Sequence, residues 1–137
     1  MKTLSKILTI IGILIIMITA IFFILQKESI KKEASDEKRY QTIKKDIDKE
    51  MERYLYYIAP NCSSENSGGH LTHKDLVYNN GFEKDKLLDV DKKSYCKAYI
   101  KYKCIEDGKW DWKTTISCKN YQDKDYKDWA EPFPDKN

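Results

Sequence analysis

Proline does not occur before Pro60, and before that point glycine occurs only at Gly12. The first 59 residues therefore contain almost nothing that breaks a helix. Charge is absent from residues 7–25, ILTIIGILIIMITAIFFIL, where only Thr9, Gly12 and Thr19 interrupt the apolar run. Neither sign of charge dominates: 25 Lys and Arg stand against 22 Asp and Glu, without the basic stripe of a nucleic-acid-binding protein, so no nucleic acid is expected as a partner. Also missing are a zinc-type pair of cysteines, a nucleophile elbow, a complete EF-hand loop and any internal repeat.

Nineteen residues at roughly 1.5 Å each span most of a hydrocarbon core of about 30 Å. Residues 7–25 therefore read as a transmembrane helix. The run is longer than the core of a signal peptide, which is about 7–15 residues, and it ends in Phe22, Phe23, Ile24 and Leu25 without a small-x-small cleavage site. No cysteine follows closely enough for a lipoprotein anchor. Flanking charge gives no orientation, since Lys2 and Lys6 precede the span and Lys27, Lys31 and Lys32 follow it. The four cysteines, Cys62, Cys96, Cys104 and Cys118, all lie after the span, and an even number in a small domain suits an oxidising compartment. The expected layout is a cytoplasmic N-terminus at 1–6, the span at 7–25 and an extracytoplasmic remainder at the cell membrane.

About 112 residues follow the span, enough for one domain. Over residues 26–58 a juxtamembrane stretch leads into an amphipathic helix, with Tyr40, Ile43, Ile47, Met51, Tyr54, Leu55 and Ile58 mostly three and four apart. The stripe covers about two and a half heptads, short for a coiled coil, so it is assigned to packing on the domain's own sheet. Residues 61–71, NCSSENSGGHL, read as a loop by composition. Thr72 caps a short helix, with Asp75 completing a capping box and Gly81 just past its end. Residues 95–105 and 109–119 alternate about the turn Glu106-Asp107-Gly108, a hairpin in which Ile105 faces Lys109 and opposed residue numbers sum to 214. One face then holds Cys96, Ala98, Ile100, Tyr102 and Cys104 against Cys118, Ile116, Thr114, Trp112 and Trp110, the core side. The other, expected to be wet, holds Tyr95, Lys97, Tyr99, Lys101 and Lys103. A small disulfide-bonded α+β domain over 59–126 and a polar C-terminal tail over 127–137 complete the plan. The register sets Cys96 opposite Cys118 and leaves Cys62 for Cys104, but four cysteines allow three connectivities and the sequence does not choose among them.

The order of an apolar helix, an amphipathic helix, the short helix LTHKDLVYNNGF and the run YCKAYIKYKC…GKWDWKTTISCKNYQDKDY resembles the C-terminal domains of type IV pilin-like and pseudopilin-like envelope proteins of Gram-positive bacteria. The resemblance covers roughly residues 70–126 and is most specific from Cys96 to Tyr121. It implies a long helix packed on a small antiparallel sheet with a disulfide near the end, and partners among pilin-like or other envelope proteins. The chain begins MKTLSKILTI, without the glycine and glutamate of a prepilin processing motif, so the implied relative is permanently anchored.

Several groups are candidates for chemistry. His70 and His73 with Asp75 offer a metal-binding arrangement, although His-x-x-His alone is a common surface pattern. Asp123, Asp125 and Asp128 supply oxygens suited to calcium, and Asp85, Asp89 and Asp91 a weaker set. Ser63, Ser64 and Ser67 beside Gly68, Gly69 and His70 lack the oriented base a nucleophile needs. Among the aromatics Trp110, Trp112, Trp129, Tyr121 and Tyr126, the tryptophans of the hairpin fall on the core face. Tyr95 and Tyr99, on the wet face among lysines, are the expected contact surface for glycans, peptides or anionic polymers. The sequence thus supports a membrane-anchored structural or interaction protein of the bacterial envelope, without catalysis and without a cofactor. The competing reading is an anchored metal-dependent enzyme, or a regulatory subunit of a membrane complex.

Overall fold

The structure is a computed structural model and describes residues 2–59, 62, 67–106 and 108–136. It separates into two units, Met1–Lys38 and Arg39–Asn137. Helix α1, Lys2–Ile58, contributes to both. The second unit takes in the later part of α1 and runs through Asn137. In the first unit the apolar side chains of residues 7–25 stand 48–70% exposed. The helix is long and apolar enough to cross a membrane. The hydroxyls of Thr9 and Thr19 donate to the carbonyls of Ser5 and of Ile15 and Ile16, so neither polar group is left bare on the apolar surface.

The second unit follows the order α1, β1 (Gly68–Thr72), α2 (His73–Asn80), a 3₁₀ turn at Lys84–Leu87, β2 (Lys97–Glu106) and β3 (Lys109–Ser117). The three strands form one antiparallel sheet in the order β1-β2-β3, which gives an α+β fold. Tyr40, Ile43, Ile47, Met51 and Leu55 of α1 are buried in one cluster with Leu76, Leu87, Cys96, Ala98, Ile100 and Ile116. Their spacing of three and four puts them on one face of the helix, and that face packs on the sheet as the pattern predicts. Polar ties surround the apolar contact. Arg39 donates to the Leu88 carbonyl from Nε at 2.9 Å and Nη2 at 2.7 Å, and Lys44 pairs with Asp123 at 3.0 Å. Asp48 accepts from Trp112 Nε1 at 3.1 Å and from the Thr114 hydroxyl.

Strand β1 lies in the stretch expected to be a loop. Glycine is a poor strand former, but here it allows close approach. A Cβ on Gly68 would stand 2.8 Å from the Tyr102 carbonyl oxygen, and one on Gly69 2.8 Å from the Tyr102 hydroxyl. The two glycines let β1 lie against the bulky β2. Residues 61 and 63–66 of that stretch lie outside the described residues. Helix α2 has the expected ends: Thr72 and Asp75 form the capping box, and Gly81, at φ 71°, closes the helix in the left-handed region.

The hairpin keeps the expected register from Lys97↔Ser117 to Cys104↔Trp110. Near the turn it departs from it: Lys109 pairs with Glu106, not Ile105, and the register shifts between Cys104 and Glu106. Ile105 has no partner in this register, so the irregularity lies in β2. Two disulfides link the cysteines. Cys96–Cys118 joins the residue before β2 to the residue after β3, with Cα atoms 4.3 Å apart, and Cys62–Cys104 ties the segment after α1 to β2, with Cα atoms 5.3 Å apart.

Candidate functional site

The face of the sheet turned away from α1 divides into a covered end and an open end. At the covered end, Tyr95 and Tyr99 are each only 8% exposed, which corrects the expectation that both form an open contact surface. The cause is the C-terminal segment, which does not behave as a free polar tail. Phe133 is buried and meets the rings of His73, Tyr78 and Tyr95 edge-on. Trp129 stacks on Tyr99 with ring centres 5.7 Å apart and lies 4.2 Å from His70. The segment is further fixed by Lys97–Asp128 at 2.7 Å, Lys136–Asp85 at 2.6 Å and a bond from the Lys136 amide to the Lys93 carbonyl. The Tyr95 hydroxyl donates to Asp85 at 3.1 Å. Pro132 and Pro134 flank Phe133 and hold this backbone extended. Two aromatics in an otherwise polar tail, each near a proline, were the available signal for this packing.

At the open end stand Lys101, Lys103, Asp111 and Lys113, all exposed, with Asp125 and Lys127 beside them. A hollow of about 300 Å³ lies among these residues and Tyr99 and Thr115. A second, of about 350 Å³, adjoins it between β1 and β2, bounded by Gly68, His70, Tyr99, Lys101 and Lys103. In the register Lys101 stands between His70 and Lys113, and Lys103 between Gly68 and Asp111.

The candidate metal ligands are dispersed. His73 is buried, accepts from the Ala98 amide at Nδ1 and donates from Nε2 to the Glu131 carbonyl. Burial lowers its pKa and favours the neutral ring, and the two hydrogen bonds fix the tautomer. His70 lies in the aromatic stack, and Asp75 is taken up by the helix cap. Asp123, Asp125 and Asp128 do not converge as a calcium site would require, because each is drawn to a different lysine: Lys44, Lys113 and Lys97. Burial opposes ionisation of Asp123, but the Ile116 amide, Lys44 and the Tyr121 hydroxyl together hold its pKa below the usual range. In the weaker set, Asp91 is held at about 2 by the Lys93 amide and by the hydroxyl and amide of Ser94, while Asp85 is tied to Lys136 and Tyr95. Asp89 does converge with Cys96 and Cys118. Those two sulfurs are bonded to each other, so no thiolate faces Asp89, and its oxygens accept from the Val90 and Lys119 amides. Of the serines, Ser63 and Ser64 lie outside the described residues, and the Ser67 carbonyl accepts from the Cys104 amide.

The hairpin tryptophans are half-buried against the core, as the core-face assignment anticipates. Tyr121 stacks on Tyr40 at 4.4 Å. Tyr102, whose hydroxyl lies 3.5 Å from that of Tyr54, has its pKa raised to about 12, mainly by burial. The arrangement as a whole offers a lysine-lined trough with an aromatic border and holds no convergent acid, base and nucleophile among the described residues. No protein-family model matches this chain, and neither a curated protein nor a solved structure was found to be similar to it.

Proposed function

We propose that this chain is a single-pass membrane protein whose Arg39–Asn137 unit stands outside a bacterial cell membrane and serves the envelope as a structural or interaction component, pilin-like in plan and without catalysis. The observation that carries the reading is a contrast within the chain. Residues 7–25 expose apolar side chains on all sides, while all four cysteines of the other unit are paired in disulfides. Such a helix favours lipid, and such cysteines favour an oxidising compartment. The helix-on-sheet packing, with a disulfide near the end of the hairpin, agrees with the pilin-like plan. In this reading the anchor fixes the location and the outer face of the sheet is presented to partners.

The test is thiol labelling on intact bacterial cells with a membrane-impermeant reagent, with and without prior reduction. Labelling only after reduction is expected. Free thiols reached only after lysis would reverse the topology and overturn the extracytoplasmic assignment.

A further inference from the structure

We propose that the open end of the sheet's outer face is a binding trough for an acidic polysaccharide. This rests on the interaction reading above and supplies its partner.

Three observations support the assignment. The first is charge. Lys101 stands directly opposite Lys113 across the β2–β3 pair, an arrangement that destabilises a sheet when nothing offsets it. Lys103 and Lys127 add to the same patch, and only Asp111 and Asp125 oppose these four lysines. Asp125 is already paired with Lys113. A chain with almost balanced charge thus concentrates a positive excess on one face.

The second is shape. The two hollows share Tyr99, Lys101 and Lys103, so together they form one shallow trough across all three strands. Lysines two apart on a strand are separated by roughly 6.6 Å and neighbouring strands by about 4.8 Å. The positive charges are therefore spread along the trough and do not converge on one point. No arginine fork lines it. A single small anion would meet one lysine at a time, whereas a chain with repeated charges meets several together.

The third is the border. Trp129 remains 56% exposed although it is held against His70 and Tyr99, both of which line the trough. A fixed, half-open indole offers a flat apolar face for the C–H side of a sugar ring. Lysines for the acidic groups and an aromatic platform for the ring specify a charged glycan, in contrast to a neutral one or to a polyanion without rings.

The experiment uses the full chain in a zwitterionic detergent and measures binding of polygalacturonate, neutral dextran and polyglutamate of similar length by calorimetry at about 50 mM and 200 mM salt. Polygalacturonate is expected to bind, more weakly at the higher salt, with dextran and polyglutamate well behind. Lys101→Gln with Lys103→Gln should weaken polygalacturonate binding about tenfold. Lys45→Gln with Lys49→Gln, on the exposed side of α1, should not change it. Trp129→Ala should weaken polygalacturonate more than polyglutamate. No binding at low salt, equal binding of polyglutamate, or unchanged affinity in the Lys101/Lys103 variant would each overturn the proposal. Because the measurement uses purified protein, its failure leaves the membrane topology untouched, and reversed labelling in cells leaves the trough's chemistry untouched.

Discussion

Two stretches of α1 both hold large apolar side chains, yet they carry opposite information. In residues 7–25 fifteen large apolar side chains surround the helix and all are exposed. Leaving each in water forgoes roughly 1.5–3 kcal/mol, so the stretch as a whole forgoes tens of kcal/mol that a lipid environment would return. Further along, Tyr40, Ile43, Ile47, Met51, Tyr54, Leu55 and Ile58 form a single stripe with Lys44, Lys45, Asp48, Lys49 and Glu52 between them; Tyr54 and Ile58 are partly buried and the other five are buried. Tyr56 and Tyr57, off the stripe, remain exposed. Apolar content therefore decides that a helix needs cover, and the pattern decides whether protein or lipid provides it.

Swapping charges between the stretches breaks the comparison most directly. Ile47→Asp places a carboxylate at a fully buried position and should cost more than about 4 kcal/mol, enough to unfold the Arg39–Asn137 unit. Ile15→Asp should leave that unit's thermal transition unchanged and instead reduce membrane retention, with a cost of about 2.5–3.5 kcal/mol at the centre of a span. Circular dichroism melts and carbonate extraction read the two effects separately. If Ile15→Asp lowered the melt as much as Ile47→Asp, the division of the helix into two roles would be wrong.

The disulfides sharpen the contrast within the folded unit. Cys62–Cys104 closes a loop with a sequence separation of 42 and Cys96–Cys118 one of 22. On the chain-entropy account their removal as Ser pairs costs about 4 and about 3 kcal/mol respectively. Denaturant titrations of the two double variants test that order. A smaller step separates the two aromatics of the C-terminal segment. Phe133→Ala should cost about 3 kcal/mol and expose Tyr95 to solvent, since Phe133 is buried against His73 and Tyr78 of α2 and against Tyr95. Trp129→Ala should cost within about 1 kcal/mol, because much of the indole already faces water. Quenching of tyrosine emission, with the denaturation midpoint, distinguishes them.

What the sequence made legible follows from periodicity and from local chemistry. The stripe on α1 repeats every three or four residues, the hairpin alternates every two, and the Thr72–Asp75 cap lies within one turn, so each could be read in a short window. The features that escaped depend on contacts between distant residues. Strand β1 is invisible in GGHLT because its glycines answer to Tyr102, some thirty residues later. Alternation places Tyr95 and Tyr99 on the wet face, because it gives the face of a residue but not whether a later segment will cover that face. Trp129 and Phe133 provide the cover. The trough's lysines were visible as part of the wet face, yet only the register and the C-terminal cover show which of them remain open. Arg39 and Asp48, which fasten α1 through long-range hydrogen bonds, look like ordinary surface charges in the sequence.

The smallest expected effect concerns His73, which joins α2, β2 and the C-terminal segment through one ring. Its Nδ1 accepts from the Ala98 amide, so protonation there would set two N–H groups against each other. Burial disfavours the charged ring most, Lys74 and Lys97 add to this, and the bond to the Glu131 carbonyl only partly offsets it. Its folded pKa therefore lies below the unfolded value of 6.5. Between those two values the unfolded chain binds more protons, so stability rises with pH across the window and is lost as pH falls below 6.5. A second loss should begin near the unfolded carboxylate value of 3.8, where the unfolded chain takes up protons while folded Asp91, held at about 2, and the lowered Asp123 and Asp128 stay charged. Denaturant midpoints at half-unit steps from pH 8 to 3 should show a plateau, a shallow decline starting near neutrality and a steeper one in acid. His73→Gln preserves one acceptor and one donor on an uncharged side chain, and should erase the shallow decline while leaving the acid limb in place. If the shallow decline survived in that variant, the titration would belong to another group, and the ring would be only a packing element between the sheet and the segment that covers it.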